Sequence, residues 1–369
     1  MDSDSLFSDC YATARDRFRN EADKLGWERR SYPIELRGPK GEELTIDVAF
    51  GAKTTADPAV VISGGIHGVE GFFGAAVQLA LLREWAKRKD ALPPVRLVLL
   101  HGLNPFGFAW RRRCNEANVD LNRNLLLDGE SFRGSPQGYS KFDALLNPKR
   151  SPSHWEPATL KILFAIVCNG MAAFKEAVAS GQYDYAQGLF YGGDRPSWTN
   201  EVLAAHLDEW LGGSRKVVHL DFHTGLGKWA NYKLLIDYPL DEQRRGRLSR
   251  WFGPGSFEST RPENLAYTVR GGFGNWCVSR NGGRDYTYAA AEFGTYSPIR
   301  ILAGLRAENQ AHHWGLSDDA STEQAKQRLV DLFCPPVKNW RDQALERSVR
   351  LVDQAIKGIL DGVESGKSG

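Results

Sequence analysis

Apolar and polar positions alternate at helical spacing from Ser5 to Gly26, with Leu6, Tyr11, Ala14 and Phe18 on one side, which predicts an N-terminal helix. The period then shortens. RSYPIELRGPKGEELTIDVAF reads as a hairpin whose tip is the Gly-Pro-Lys-Gly turn. Ala59 to Ser63 is an unbroken apolar run and predicts a buried strand. A helix from about Val69 to Lys87 follows it and turns Phe72, Val77 and Leu81 inward. Val95 to Leu100 predicts the next strand, and residues 101–124 a polar loop dense in Arg and Asn. Between 125 and 215 Pro, Gly and Ser interrupt the pattern, with helices expected over Thr159 to Ser180 and Asn200 to Trp210. Strands return at Lys216 to Phe222, Lys233 to Tyr238 and Thr287 to Phe293, and the chain after Pro298 reads as helical. Strands alternating with helices predict an α/β sheet covered on both faces. The expected organisation is one domain over residues 1–369, with an insertion at about 125–215 and a helical tail from about 298.

Composition narrows the function classes. At 369 residues the chain can bury a large core, and its 42% hydrophobic and 25% charged residues are ordinary for a globular protein. A formal net charge of +2 gives no support to a nucleic-acid role. The five cysteines lie scattered without a CxxC pair, which argues against a disulfide framework and for a reducing compartment. The start, MDSDSLFSDC, lacks a signal pattern, and no apolar run approaches the roughly 18 residues that span a bilayer. The expectation is a cytoplasmic protein that engages neither membrane nor nucleic acid.

The candidate chemistry lies at strand ends. His67 follows the strand ending at Ser63, Glu70 falls in the next helical turn, and His223 follows Leu220-Asp221-Phe222. Two imidazoles, one carboxylate and an open position suit a borderline-soft cation such as zinc. Glu292 follows the apolar run Tyr288-Ala289-Ala290-Ala291, so all four sit at the carboxyl ends of predicted strands, where open α/β sheets bind ligands. A single His in a strand–helix turn is more often structural; four such residues at one sheet edge are not a usual accident. His219 competes with His223 as third ligand, and the DFHTG context favours the latter. No HExxH motif and no GxSxG elbow is present. The loop HGLNPFGFAWRRRCNEANVDLNRN adds Arg112, Arg113, Asn122 and Arg123, of which Arg can hold a carboxylate with two parallel hydrogen bonds. Arg113 could instead polarise a scissile carbonyl.

In order, HGVE, RCNEANVDLNRN, DFH and AAEFGT resemble the zinc carboxypeptidase family and its aspartoacylase and succinylglutamate desuccinylase branch. Within that family the form NPxGFAxxRRxNExNVDLNRN is similar to a bacterial branch. The resemblance spans roughly residues 59–125 and 216–295. It implies a mixed, mostly parallel, eight-stranded twisted sheet in a three-layer sandwich. It implies one Zn2+ per chain on His67, Glu70 and His223, and Glu292 as general base and then acid. It further implies Arg113 on the oxyanion, Asn122 with Arg123 on a substrate carboxylate, and Asp120 orienting His67. Arg112 joins the substrate-binding candidates. The family's mobile tyrosine has three candidates by position, Tyr267, Tyr286 and Tyr288. The implied activity is metallocarboxypeptidase-like hydrolysis of an amide beside a substrate carboxylate, in a peptide or small molecule. An N-acyl amino acid deacylase of the aspartoacylase type is the near alternative. A non-catalytic peptide-binding protein, or a nucleotide-binding one suggested by Gly65, Gly68, Gly71 and Gly74, is the distant one.

Overall fold

A computed structural model describes residues 3–51, 57–88, 91–153, 156–171, 174, 176–177, 180–259, 270–316 and 319–364. Eight strands form one sheet: β1 (Glu28–Arg37), β2 (Glu43–Phe50), β3 (Ala59–Gly64), β4 (Arg96–His101), β5 (Lys216–Trp229), β6 (Tyr232–Ile236), β7 (Phe257–Ser259) and β8 (Asp285–Gly294). Their order is β1-β2-β4-β3-β5-β8-β6-β7. The centre, β4-β3-β5-β8, is parallel throughout, and the hairpin β1–β2 pairs antiparallel at one edge. This is the α/β sheet that the alternation of strands and helices predicts, and the mixed, mostly parallel, eight-stranded one that the family resemblance implies.

The helices are α1 (Tyr11–Lys24), α2 (Gly71–Lys87), α3 (Pro105–Ala109), α4 (Tyr139–Leu146), α5 (Ala158–Asn169), α6 (Trp198–Leu211), α7 (Glu242–Phe252), α8 (Phe273–Ser279), α9 (Pro298–Trp314), α10 (Ala320–Phe333) and α11 (Lys338–Glu364). They cover both faces. On β1, Ser31 bonds Asp47, which Arg19 of α1 also holds, while the next residue, Tyr32, points the opposite way and accepts a 2.9 Å bond from Trp210 of α6. α2 is apolar all round and buried along most of its length, packed among the sheet, α1 and α11. Its one polar core residue, Gln78, donates to the carbonyls of Ile62 and Leu100 and accepts from His101, so its amide is fully used. None of the described helices is long and apolar enough to cross a membrane.

Two features position the site. After β3 the chain crosses through α2 to β4 on one side of β3, and later returns as β5 on the other. A crevice therefore opens past the carboxyl ends of β3 and β5. Gly64 and Gly74 also bring α2 close to β3: a Cβ on Gly64 would lie 3.1 Å from the Gly74 Cα.

Local expectations fared unevenly. The hairpin, the central strands and the long helices lie where the periodicity puts them. The segment 101–124, expected as a polar loop, also contains α3 and a 3-10 turn at Leu121–Arg123, and Asn104, Asn118, Asp120, Arg123 and Asn124 are buried. Its polar side chains satisfy one another and nearby carbonyls, which composition does not reveal. The helix expected over Thr159 to Ser180 is interrupted after Asn169, where Gly170 takes φ 82°, and helical residues recur at Met171, Phe174, Glu176 and Ala177. β5 runs beyond Phe222 to Trp229, so His223 lies within the strand.

Candidate metal site

His67 is itself extended, just after the turn that follows β3, and Glu70 lies in the 3-10 turn that opens α2. His223 projects from β5 in the same sense as His219 and Asp221, away from the face where Phe222 meets Phe73 of α2. One ligand atom from each of His67, Glu70 and His223 lies within 4.8 Å of the other two, and all three residues are buried. Glu70 is the hub: Nδ1 of His67 is 2.9 Å from its Oε1, and Nδ1 of His223 is 3.0 Å from its Oε2.

The opposite ring nitrogens face carboxylates. Nε2 of His223 lies 2.6 Å from Oδ2 of Asp221, and Nε2 of His67 lies 3.2 Å from Oδ1 of Asp120. This donor set fits a divalent cation. The two Nδ1 atoms and the Glu70 carboxylate converge, and each imidazole can donate its remaining N–H to an acid that fixes ring and tautomer. Burial by itself would raise the Glu70 carboxyl, but the imidazoles of His67 and His223 outweigh it and hold it below the usual carboxylate range. Asp221 likewise resists burial, through His223, His219 and Ser63, and falls to about 2. Burial opposes charge on His223 as well, yet Asp221 and Glu70 raise it well above the ordinary imidazole value. A site that draws positive charge between two carboxylates is one a cation can occupy.

Arg113 reaches this cluster by a backbone clip. Gly68 N–H donates to its carbonyl at 3.1 Å and Val69 N–H to the Arg112 carbonyl at 2.7 Å. Its guanidinium bonds Asp120 Oδ2 at 2.9 Å, comes within 2.7 Å of His67 Nε2, and lies over the Phe190 ring. The clip depends on glycine, since a Cβ on Gly68 would collide with the backbone of Gly107. Gly68→Ala is expected to lower stability by about 1–3 kcal/mol, as overpacking typically does. Metal affinity should fall with it, because the turn carrying Glu70 must shift. Thermal unfolding and metal titration check both.

Glu292 and His223 are register partners on adjacent parallel strands. Oε1 of Glu292 accepts the Leu226 N–H at 2.8 Å. Burial, and then the nearby Glu70 carboxylate, push the Glu292 carboxyl up to about 7. A cavity of about 410 Å³ opens from these residues and is also lined by Arg113, Asn122 and Arg123. Asn122 presents its Oδ1 to the Phe273 N–H at 2.9 Å, which ties the loop to α8.

The structure thus gathers His67, Glu70, His223, Arg113, Asn122, Arg123 and Glu292 around one cavity, with Asp120 held against His67 and Arg113. It does not bring Arg112 there, which corrects the expectation for that residue. Arg112 is fully buried, its Nε donates to Glu308 at 2.8 Å and its Nη2 to Asn118 at 2.8 Å, and Lys326 completes the network from 3.3 Å. Its neighbour Arg113 lines the cavity instead. Arg112→Ala is therefore expected to cost about 1.5–3 kcal/mol by removing the bonds to Glu308 and Asn118, with Lys326 still paired to Glu308. KM of the surviving folded protein should not change; denaturant unfolding alongside kinetics separates the two.

Other residues sort out by contact. His219 is spent on Ser63 and Tyr286, and Tyr286 is committed there. Tyr288 lines the cavity and donates to Asp221 at 2.9 Å, while Tyr267 lies outside the described residues. Two acidic residues escaped the sequence reading. Asp221 was visible only as a neighbour of His223; its i, i+2 spacing on a strand, which puts both on one face, was the available signal. Asp237 lies just past β6 and lines the cavity, its carboxyl pushed by burial up to about 6. Nothing local in LLIDYPL marks it.

The family model described as "Protein of unknown function (DUF2817)" matches residues 7–347. No curated protein matches the sequence at a significant level. Several solved structures are similar to the chain. Carboxypeptidase A from Helicoverpa armigera is 12% identical, with 88% of this chain and 73% of that one covered, at a TM-score of 0.49. Bovine thrombin-activatable fibrinolysis inhibitor is 11% identical, with 93% and 98% covered, at 0.47. Murein-tripeptide amidase MpaA from Escherichia coli O157 is 18% identical, with 79% and 93% covered, at 0.36. The group that the motifs resemble is thus among the structures to which the chain is similar. At these identities and scores they bear on nothing in the chemistry, which rests on the residues themselves.

Proposed function

The chain belongs to the DUF2817 family, and we propose that it is a metal-dependent hydrolase, with zinc as the cation, that cleaves an amide beside a substrate carboxylate. We read residues 1–369 as one catalytic domain, with an insertion at about 125–215 from which Ile162, Ile166, Phe174 and Phe190 line the cavity. The observation that supports this best is the convergence of two imidazoles and a carboxylate, each backed by a second acid, with Glu292 in register beside them.

His67, Glu70 and His223 would hold the ion, which when bound lowers the pKa of a water to about 7 and polarises a carbonyl. Each ring then keeps its proton on Nε2, donating to Asp120 or Asp221. Arg113, which shares the Asp120 side of His67, must turn its Nη2 toward the cavity, where it meets the carbonyl oxygen as charge develops. Glu292 accepts a proton from the attacking water and returns it to the leaving nitrogen. A carboxyl raised toward neutrality is suited to both halves of that transfer. Asn122 and Arg123 receive the substrate carboxylate.

The test is metal analysis of the purified protein, followed by chelation and readdition. About one zinc per chain is expected, with hydrolysis of peptides or acyl amino acids lost on chelation and restored by zinc. A protein that binds no divalent metal while Asp120 and Asp221 are intact would remove the reading.

A further inference from the structure

The cavity has two unlike walls. One carries Asn122, Arg123 and Asp237; the other is built by α5, α9 and the end of α10. On the second wall Ile162, Phe174, Leu302, Leu305 and Phe333 are each less than a tenth exposed, and Met171 stands at the rim, 55% exposed. Among the described residues of this wall, Ser297 is the one polar side chain. The backbone groups beside it are already used: the Gly225 carbonyl accepts from the Thr295 hydroxyl at 3.2 Å, and the Leu226 N–H donates to Glu292.

That asymmetry constrains what lies on the acyl side of the scissile bond. A peptide would bring an N–H and a C=O per residue, and each left unpaired in an apolar site costs binding. Methylene groups bring no such requirement and gain from leaving water. An acetyl group would leave most of the apolar wall unfilled, within a cavity large enough for a small-molecule ligand. The approach is apolar too: on α5, which supplies Ile162 and Ile166 to the cavity, Leu160, Phe164 and Val167 face outward and are exposed. A helix apolar on both sides, at the mouth of a cavity with a carboxylate-binding end, suits an amphiphile.

We propose that the substrate is an N-acyl amino acid whose acyl group is an apolar chain well beyond acetyl, seated between α5, α9 and Phe333, with the amino-acid carboxylate on Arg123. This rests on the hydrolase reading above for the position of the scissile amide. The amide breaks by addition of water: the C–N bond is replaced by C–O, the nitrogen gains a proton, and a free fatty acid and an amino acid leave.

The zinc-loaded protein is assayed with N-acyl amino acids from acetyl to decanoyl, across a panel of amino acids, and with blocked dipeptides of the same C-terminal residue. In parallel, calorimetry measures binding of the same compounds to Glu292→Gln. kcat/KM is expected to rise about 3–4-fold per methylene until the wall is covered. Ile166→Trp and Leu302→Trp, two independent fillings of the wall, should each shorten the preferred chain, read as a fall in the ratio of kcat/KM for octanoyl over butanoyl substrates. Acetyl or dipeptide substrates turned over as well as octanoyl ones overturn the proposal and leave the hydrolase reading standing. Chain-length-dependent binding without hydrolysis of any compound overturns the hydrolase reading and the substrate role with it, and leaves the wall only as a binding site for acyl chains. Neither binding nor hydrolysis overturns both.

Discussion

Glu292→Gln is expected to lower kcat by about 10²–10⁴-fold, the usual contribution of a positioned general acid–base, while leaving the metal content unchanged. Gln keeps the shape and still presents an oxygen to the Leu226 N–H, but it cannot take the water's proton. The residue is no part of the ion cluster, so loss of turnover without loss of metal is the signature. The pH profile gives a second readout. Activity should rise with pH as Glu292 loses its proton, with the acid limb at or below about pH 7, because a bound cation draws the carboxyl down from where burial and Glu70 put it. That limb should vanish in Glu292→Gln. Stability gives a third. In metal-stripped protein the folded carboxyl is raised, so the fold binds more protons than the unfolded chain, and the penalty enters above the unfolded value and is complete above the folded one. Glu292→Gln should therefore be more stable than wild type by about 1–3 kcal/mol near pH 8, and equal to it near pH 4. Unchanged turnover in Glu292→Gln would remove the residue from the mechanism.

His223→Ala is expected to abolish metal binding and, with it, all turnover. Two remaining ligands cannot hold the ion, and the substitution also leaves Asp221 and Glu70 as buried acids without their shared partner. Wild type should gain about 2.7 kcal/mol of stability at a zinc concentration 100 times its Kd, and the variant nothing. Asp221→Asn is the graded version. It keeps the ligand but loses the acid that holds the ring, and should weaken metal affinity about 10–100-fold. Full metal loading in His223→Ala would mean that another residue completes the site, and His219 is excluded by its bonds to Ser63 and Tyr286.

Much of this was legible in the chain. Strand and helix periods gave the central sheet, because β3, β4 and α2 are apolar almost throughout and admit few other readings. The His-x-x-Glu spacing across a strand–helix turn placed two ligands on one point, since a 3-10 turn brings residues three apart to the same side. The Arg run was harder. RRR says nothing about which guanidinium faces a cavity and which is buried, and Arg112 and Arg113 have opposite fates one residue apart.

The order of residues in this chain settled local conformation and the kinds of chemistry on offer: a buried sheet, two imidazoles, several acids, an Arg-rich turn. Folding alone settled which of those groups meet. Pairing of β5 with β3 and β8 sets His223 beside Glu292 and across from Glu70, a closure of more than 150 residues of chain. Long-range closure of that kind depends on sheet order and register, not on neighbours in sequence. The apolar wall belongs to the same category, since α5, α9 and α10 are separate amphipathic stretches whose inner faces become one surface only when packed together.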